Sequence, residues 1–156
     1  MKNLRTTFTT ILLALGCFSL SPPVKAGQDL WAPPIVGLWD VHYTSNTTGP
    51  SFHTYDQWHI DGLEFEVNSV APGAMCQGTW EQTSTGDVKL YHVGFVFSPN
   101  GSLQGPFREA QLITVSPDRN SYNGTYDINY YDTHSHLLLH DTGTMRGTRL
   151  SVGHPL

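Results

Sequence analysis

The stretch Gln57-Trp58-His59-Ile60-Asp61-Gly62-Leu63-Glu64-Phe65-Glu66 decides the fold class. An Asp-Gly pair flanked on both sides by alternating apolar and polar residues is the strongest short-range signal of a β-hairpin. A two-residue turn at Asp61-Gly62 pairs Ile60 with Leu63, His59 with Glu64, Trp58 with Phe65 and Gln57 with Glu66. One face then carries Trp58, Ile60, Leu63 and Phe65, and the other Gln57, His59, Glu64 and Glu66. Both ways of turning this hairpin stay open. With the apolar face inward, His59 and Glu64 form an exposed cross-strand pair. With the polar face inward, Glu64 orients the His59 imidazole, which suits a general base or a metal ligand.

The same alternation runs along the rest of the chain. Beyond residue 27 no segment keeps a helical period; β-rich runs recur at 35–45, 54–70 (split by the hairpin turn), 74–83, 88–97, 106–116, 121–132 and 137–150. Turn signals separate them: Gly49-Pro50, Ala71-Pro72-Gly73, Ser84-Thr85-Gly86, Asn100-Gly101, Asp118-Arg119-Asn120 and Thr133-His134-Ser135. Eight strands joined by short connections are sequential antiparallel neighbours. The expected fold is all-β: an eight-stranded antiparallel up-and-down barrel, which leaves no exposed edge, with an open sandwich as the alternative. A barrel of this size is filled by its own side chains or holds one small ligand.

Residues 1–26 carry Lys2 and Arg5, an apolar run from Phe8 to Leu20 and a Val24-Lys25-Ala26 cleavage pattern, an export signal. Ala14-Leu15-Gly16-Cys17 also loosely matches a lipoprotein box with Cys17 acylated. Either reading exports residues 27–156, a single barrel domain, to the periplasm or the outside. Lys89, Arg108, Arg119, Arg146 and Arg149 are the cations beyond the signal, against 13 Asp+Glu. That balance disfavours nucleic acid and anionic membrane surfaces as partners. Cys76 is the one cysteine left, so no internal disulfide forms. No phosphate loop, dinucleotide fingerprint or nucleophile elbow is present.

Gly37-Leu38-Trp39, at the start of the first strand, resembles the Gly-x-Trp opening of lipocalins and other calycin barrels. The resemblance implies that Trp39 plugs the closed end of a barrel. Gln57-Trp58-His59-x-Asp61-Gly62, Cys76-x-Gly78-x-Trp80-Glu81-Gln82, Lys89-Leu90-x-His92 and Gly105-Pro106-x-Arg108-Glu109 are similar to segments of uncharacterised secreted bacterial barrel proteins. A looser likeness is to allene oxide cyclase and dirigent barrels, which steer a reactive ligand without a cofactor; it concerns fold alone.

Alternation also sorts the candidate site residues. Val88, Leu90, His92, Gly94 and Val96 share a face, as do Phe107, Glu109, Gln111, Ile113 and Val115. A buried Glu109 needs a partner, and His92 on the neighbouring strand is the natural one, unless Arg108 and Glu109 are rim charges. The leading expectation is a cavity for a small, partly apolar or aromatic molecule. Trp58, Trp80, Tyr91 and Tyr126 are its candidate walls, and His92, Glu109 and Arg108 its orienting groups. The alternative is an isomerase, cyclase or lyase on the same cavity, with His59 or His92 as base and Glu64 or Glu109 as carboxylate. No cofactor is required; a zinc or copper ion on His59, His92 and His140 is a further option among the eight histidines. The third class is a structural homo-oligomer, motivated by an apolar outer face at Tyr91, Phe95 and Phe97.

Overall fold

A computed structural model of the chain describes residues 32–47, 51–70 and 75–153. The signal segment 1–26 with Cys17, the Gly49-Pro50 breaker and the Ala71-Pro72-Gly73 turn lie outside them. Eight strands follow in order: β1 (Gly37–Ser45), β2 (Phe52–Trp58), β3 (Leu63–Asn68), β4 (Met75–Gln82), β5 (Asp87–Phe97), β6 (Leu103–Val115), β7 (Ser121–Tyr131) and β8 (Leu137–Arg149). Each pairs antiparallel with the next, and β8 pairs with β1, closing the barrel. The all-β up-and-down barrel is thus the fold; the open sandwich is not.

The pleat sets what fills the bore, since alternate residues point inward. Trp39, Val41 and Tyr43 of β1 are buried, as are Thr54, Asp56 and Trp58 of β2. β5 turns Val88, Leu90 and His92 inward and leaves Tyr91, Phe95 and Phe97 exposed. β6 buries Phe107, Glu109, Gln111, Ile113 and Val115. Inward glycines make room for neighbouring rings: a Cβ on Gly94 would meet Phe107 Cε1 at 2.5 Å, and one on Gly147 would meet Tyr122 Cε1 at 2.3 Å. The bore is therefore closely filled by side chains at these levels.

One end is plugged by Trp39, whose Nε1 donates to Ile35 O at 2.7 Å. The Arg149 guanidinium lies over the Trp39 ring, 4.2 Å from its centroid. It donates from Nη1 to Val36 O (2.7 Å), from Nη2 to Pro34 O (2.5 Å) and from Nε to Arg119 O (2.5 Å). Trp39 and Arg149 face each other across the β1–β8 seam, so the cation–π contact ties the first and last strands, while the hydrogen bonds hold the segment leading into β1 and the turn between β6 and β7.

The hairpin that announced the fold has a different register from the one expected. The loop holds three residues, Ile60, Asp61 and Gly62: His59 N donates to Leu63 O at 2.9 Å, and Gly62 N to His59 O at 3.3 Å. Gly62 has φ 86°, whereas Asp61 keeps negative φ, as a type I turn closed by a left-handed residue requires. Trp58 therefore stands opposite Glu64 and Gln57 opposite Phe65. A slip of one residue moves every side chain of a strand to the other face. The consequence is that β3 buries Glu64 and Glu66, at 1% and 3% exposure, and leaves Leu63 and Val67 exposed. Neither expected face enters intact; Trp58 from one joins Glu64 and Glu66 from the other.

Candidate functional site

His92, fully buried on β5, is the centre of an interior polar cluster. Its Nε2 lies 3.6 Å from Glu64 Oε2; its Nδ1 lies 3.9 Å from Glu66 Oε2 and 3.8 Å from Glu109 Oε2. The three carboxylates arrive from β3 and β6, and Glu109 is the residue directly opposite His92 in the β5–β6 register. The Phe107 ring stands edge-on to the imidazole, 5.8 Å away at 90°. A hydrogen-bonded chain links two of the carboxylates across the bore. Gln111 Nε2 donates to Glu109 Oε1 and to Tyr43 OH, both at 2.9 Å, and Tyr43 OH donates to Glu66 Oε2 at 3.3 Å. Asp56 accepts from Thr54 Oγ1 at 2.5 Å and from Tyr122 OH at 3.2 Å.

Burial governs the protonation of this cluster. It pushes Asp56 up to about 6, against the opposing bond from Thr54, and Glu66 up to about 8, against the opposing attraction of His92. Burial likewise holds Glu64 well above the ordinary carboxyl range. On His92 burial works against the cation, but Cys76 and Glu109, then Glu66 and Glu64, outweigh it and hold the imidazole well above its usual value. Closely spaced carboxyl groups in a dry interior do not all ionise, so the cluster retains protons at neutral pH and gives them up as a coupled set.

The structure brings some expected site residues together and separates others. His92, Glu64 and Glu109 meet. His59 does not join them: it follows β2 on the outer side, its ring edge-on to Phe65 at 5.5 Å, and the expected His59–Glu64 pair is undone by the three-residue loop. His140 is also outside, 3.1 Å from Asp127 Oδ1. The trio His59, His92 and His140 therefore does not converge, because strand parity places one inside and two outside. Trp58 is buried in the bore and packs edge-on to Trp80 at 6.0 Å. Trp80 is half-buried and donates from Nε1 to His59 O at 3.0 Å. Tyr126 is buried, its hydroxyl 3.0 Å from Asp141 Oδ2. Two proposed wall groups do not face the bore. Tyr91 is 51% exposed on the outer face, and Arg108 lies outward over the Tyr131 ring, 5.3 Å from its centroid.

Tyr91 instead lines two shallow depressions on the barrel's outer surface. One, of about 400 Å³, runs between Thr79, Lys89 and Leu112; the other, of about 350 Å³, between Leu63, Gln77 and Val93. Neither is lined by His92, although Gln111 borders the first and Glu64 the second, and the buried cluster, with its perturbed titration, is the stronger candidate for chemistry. Asp56, Tyr43, Gln111 and Tyr122 join the polar network although no motif in the sequence marks them. The signal for Asp56 was its two-residue spacing from Trp58. No known protein family, curated protein or solved structure compared with the chain matches it.

Proposed function

We propose that the protein is an exported, calycin-like barrel that binds a small molecule at the buried cluster around His92. One observation carries the reading. Trp58 Nε1, both Glu64 carboxyl oxygens and Gln111 Oε1 are buried without a hydrogen-bond partner among the described residues. Each such group costs about 1–3 kcal/mol when left unmade, so a set concentrated in one bore points to a partner that completes it. The donor and acceptor types specify that partner. Glu64 and Gln111 accept, Trp58 donates, and four carboxyl groups (Asp56, Glu64, Glu66, Glu109) surround one imidazole. A small amine or amidine fits this chemistry. The rings folded over Gly94 and Gly147 restrict its size. The Trp39 plug with its Arg149 lid supports the calycin likeness, and residues 1–26 support export to the periplasm or beyond.

The test is titration with methylamine, benzylamine and benzamidine, followed through the His92 imidazole resonance. Saturable binding that shifts this resonance and weakens at least tenfold in Glu64→Gln is expected. Binding that Glu64→Gln leaves intact, or none with any of the three, refutes the reading. The acid–base alternative is favoured by a separate observation: Asp56 and Glu66, at about 6 and about 8, change protonation around neutral pH beside His92. In a substrate screen, a loss of turnover of ~100-fold in His92→Gln with amine binding retained would make the protein an enzyme. The exposed Tyr91, Phe95 and Phe97 support self-association, which light scattering reads directly.

A further inference from the structure

Three side chains on the outside of the barrel, remote in function from the bore, converge on one point. β1 alternates Asp40 and His42 outward with Trp39, Val41 and Tyr43 inward. β2 sets His53 directly opposite His42 in the β1–β2 register. The two imidazoles stack, with centroids 4.8 Å apart and planes 19° from parallel. Tyr55 stands edge-on behind His53, 4.9 Å away, and fixes that ring from the other side. Both Nε2 atoms are aimed at the same Asp40 Oδ1: His53 Nε2 in close contact with it and His42 Nε2 at 3.6 Å. No two of the three donor atoms are more than 4.8 Å apart.

We propose that Asp40, His42 and His53 form a divalent transition-metal site on the outer face of the barrel. A metal bound at 2.0–2.2 Å by nitrogen and oxygen donors sets them about 3.3 Å from one another in a tetrahedron. The observed spacings bracket that value, so small side-chain rotations seat an ion. A hydrogen bond between Asp40 and His53 accounts for those two residues alone. It does not account for His42, which brings a second ring nitrogen to the same oxygen. Two imidazoles and a carboxylate select copper, nickel or zinc over calcium or magnesium, which take oxygen donors. Asp40 is 17% exposed and His42 67%, so the carboxylate sits against the sheet while the open coordination positions face water. This site shares no residue with the His92 cluster, and its fate is independent of the amine-binding reading.

The experiment is calorimetric titration of the chelator-treated full chain with zinc chloride and, separately, copper(II) chloride. One equivalent is expected to bind saturably. His42→Ala and His53→Ala are each expected to weaken it at least tenfold, and Glu64→Gln in the bore to leave it unchanged. Asp40→Asn keeps the side-chain shape and removes the charge, so it is expected to weaken binding as well without disturbing the fold. Electron paramagnetic resonance of the copper form should show coupling to two imidazole nitrogens. The site is refuted by an absence of saturable binding, by binding that survives all three outer substitutions, or by loss of binding in Glu64→Gln instead.

Discussion

Raising the pH from 5 to 8 should destabilise this protein by several kcal/mol, and Glu66→Gln should remove most of that loss. Unfolded, Glu66 titrates near its ordinary value of 4.5; folded, burial moves it to about 8. A group raised in the folded state contributes stability fully present below its unfolded value and lost as the pH climbs through its folded value. Between pH 5 and 8 the native protein holds a proton that the unfolded chain has released. Each pH unit then costs about 1.4 kcal/mol, and the interval about 4 kcal/mol from Glu66 alone. Asp56, raised from 3.8 to about 6, adds about 1 kcal/mol between pH 5 and 6. Glu64 and His92 are raised too and act with the same sign. Domains are stable by about 5–15 kcal/mol in all, so the change is large against the total. Urea denaturation at pH 5, 6.5 and 8, at constant ionic strength, measures it through the midpoint. In Glu66→Gln the amide still accepts from Tyr43 OH, and the loss from pH 5 to 8 should shrink by about 4 kcal/mol. Wild-type stability that is flat or rising over this range, or an unchanged slope in Glu66→Gln, would refute the reasoning. Below about pH 4 the trend reverses, because Asp141, held low by Thr47, Ser45 and Tyr126 against the effect of its burial, must then be protonated.

Three further outcomes are expected. Gly94→Ala drives a methyl into Phe107 and Cys76 Sγ, at 2.5 and 2.8 Å, and should cost about 1–3 kcal/mol, seen as a lower Tm. Arg149→Lys keeps the charge but loses the planar fork that reaches Pro34 O, Val36 O and Arg119 O, and should cost about 3 kcal/mol in chemical denaturation. Mass spectrometry of the exported protein should place its first residue at Gly27, with Cys17→Ser leaving the mass unchanged; a lipid-bearing N-terminus at Cys17 would show the other processing route.

The strand count and most face assignments were legible because alternation survives wherever a strand is polar on one side only. On β5 and β6 alternation sorted the residues into two sets without saying which set faces inward; the sets holding His92 and Glu109 enter the bore, and these two meet through a pairing the sequence already suggested. The hairpin misled for a chemical reason. Asp61-Gly62 suits a two-residue turn and a three-residue loop equally, since both place glycine at a left-handed position. The burial habits of glutamate then argued against the correct parity, because Glu64 and Glu66 are types that rarely go inside unpaired. The outer Asp40, His42 and His53 site was hidden differently. It depends on the β1–β2 register, and the Gly49-Pro50 breaker between the two runs marks a turn without fixing which residues pair.

The plug between Trp39 and Arg149 also carries a consequence in time. Arg149 of β8 bonds to the carbonyl of Val36, 113 positions earlier and just before β1, and β8 and β1 form the last seam of the barrel. A ring of strands has no partial version that retains both a sealed end and paired edges. Closure must wait until nearly the whole chain is free to move, and such distant pairings fold slowly, in about milliseconds to seconds. A chain that stays open throughout its own synthesis remains a thread for that interval. A narrow translocation channel accepts a thread and refuses a finished barrel, so if residues 1–26 act as the export signal their sequence suggests, the lateness of this one contact would suit passage before folding.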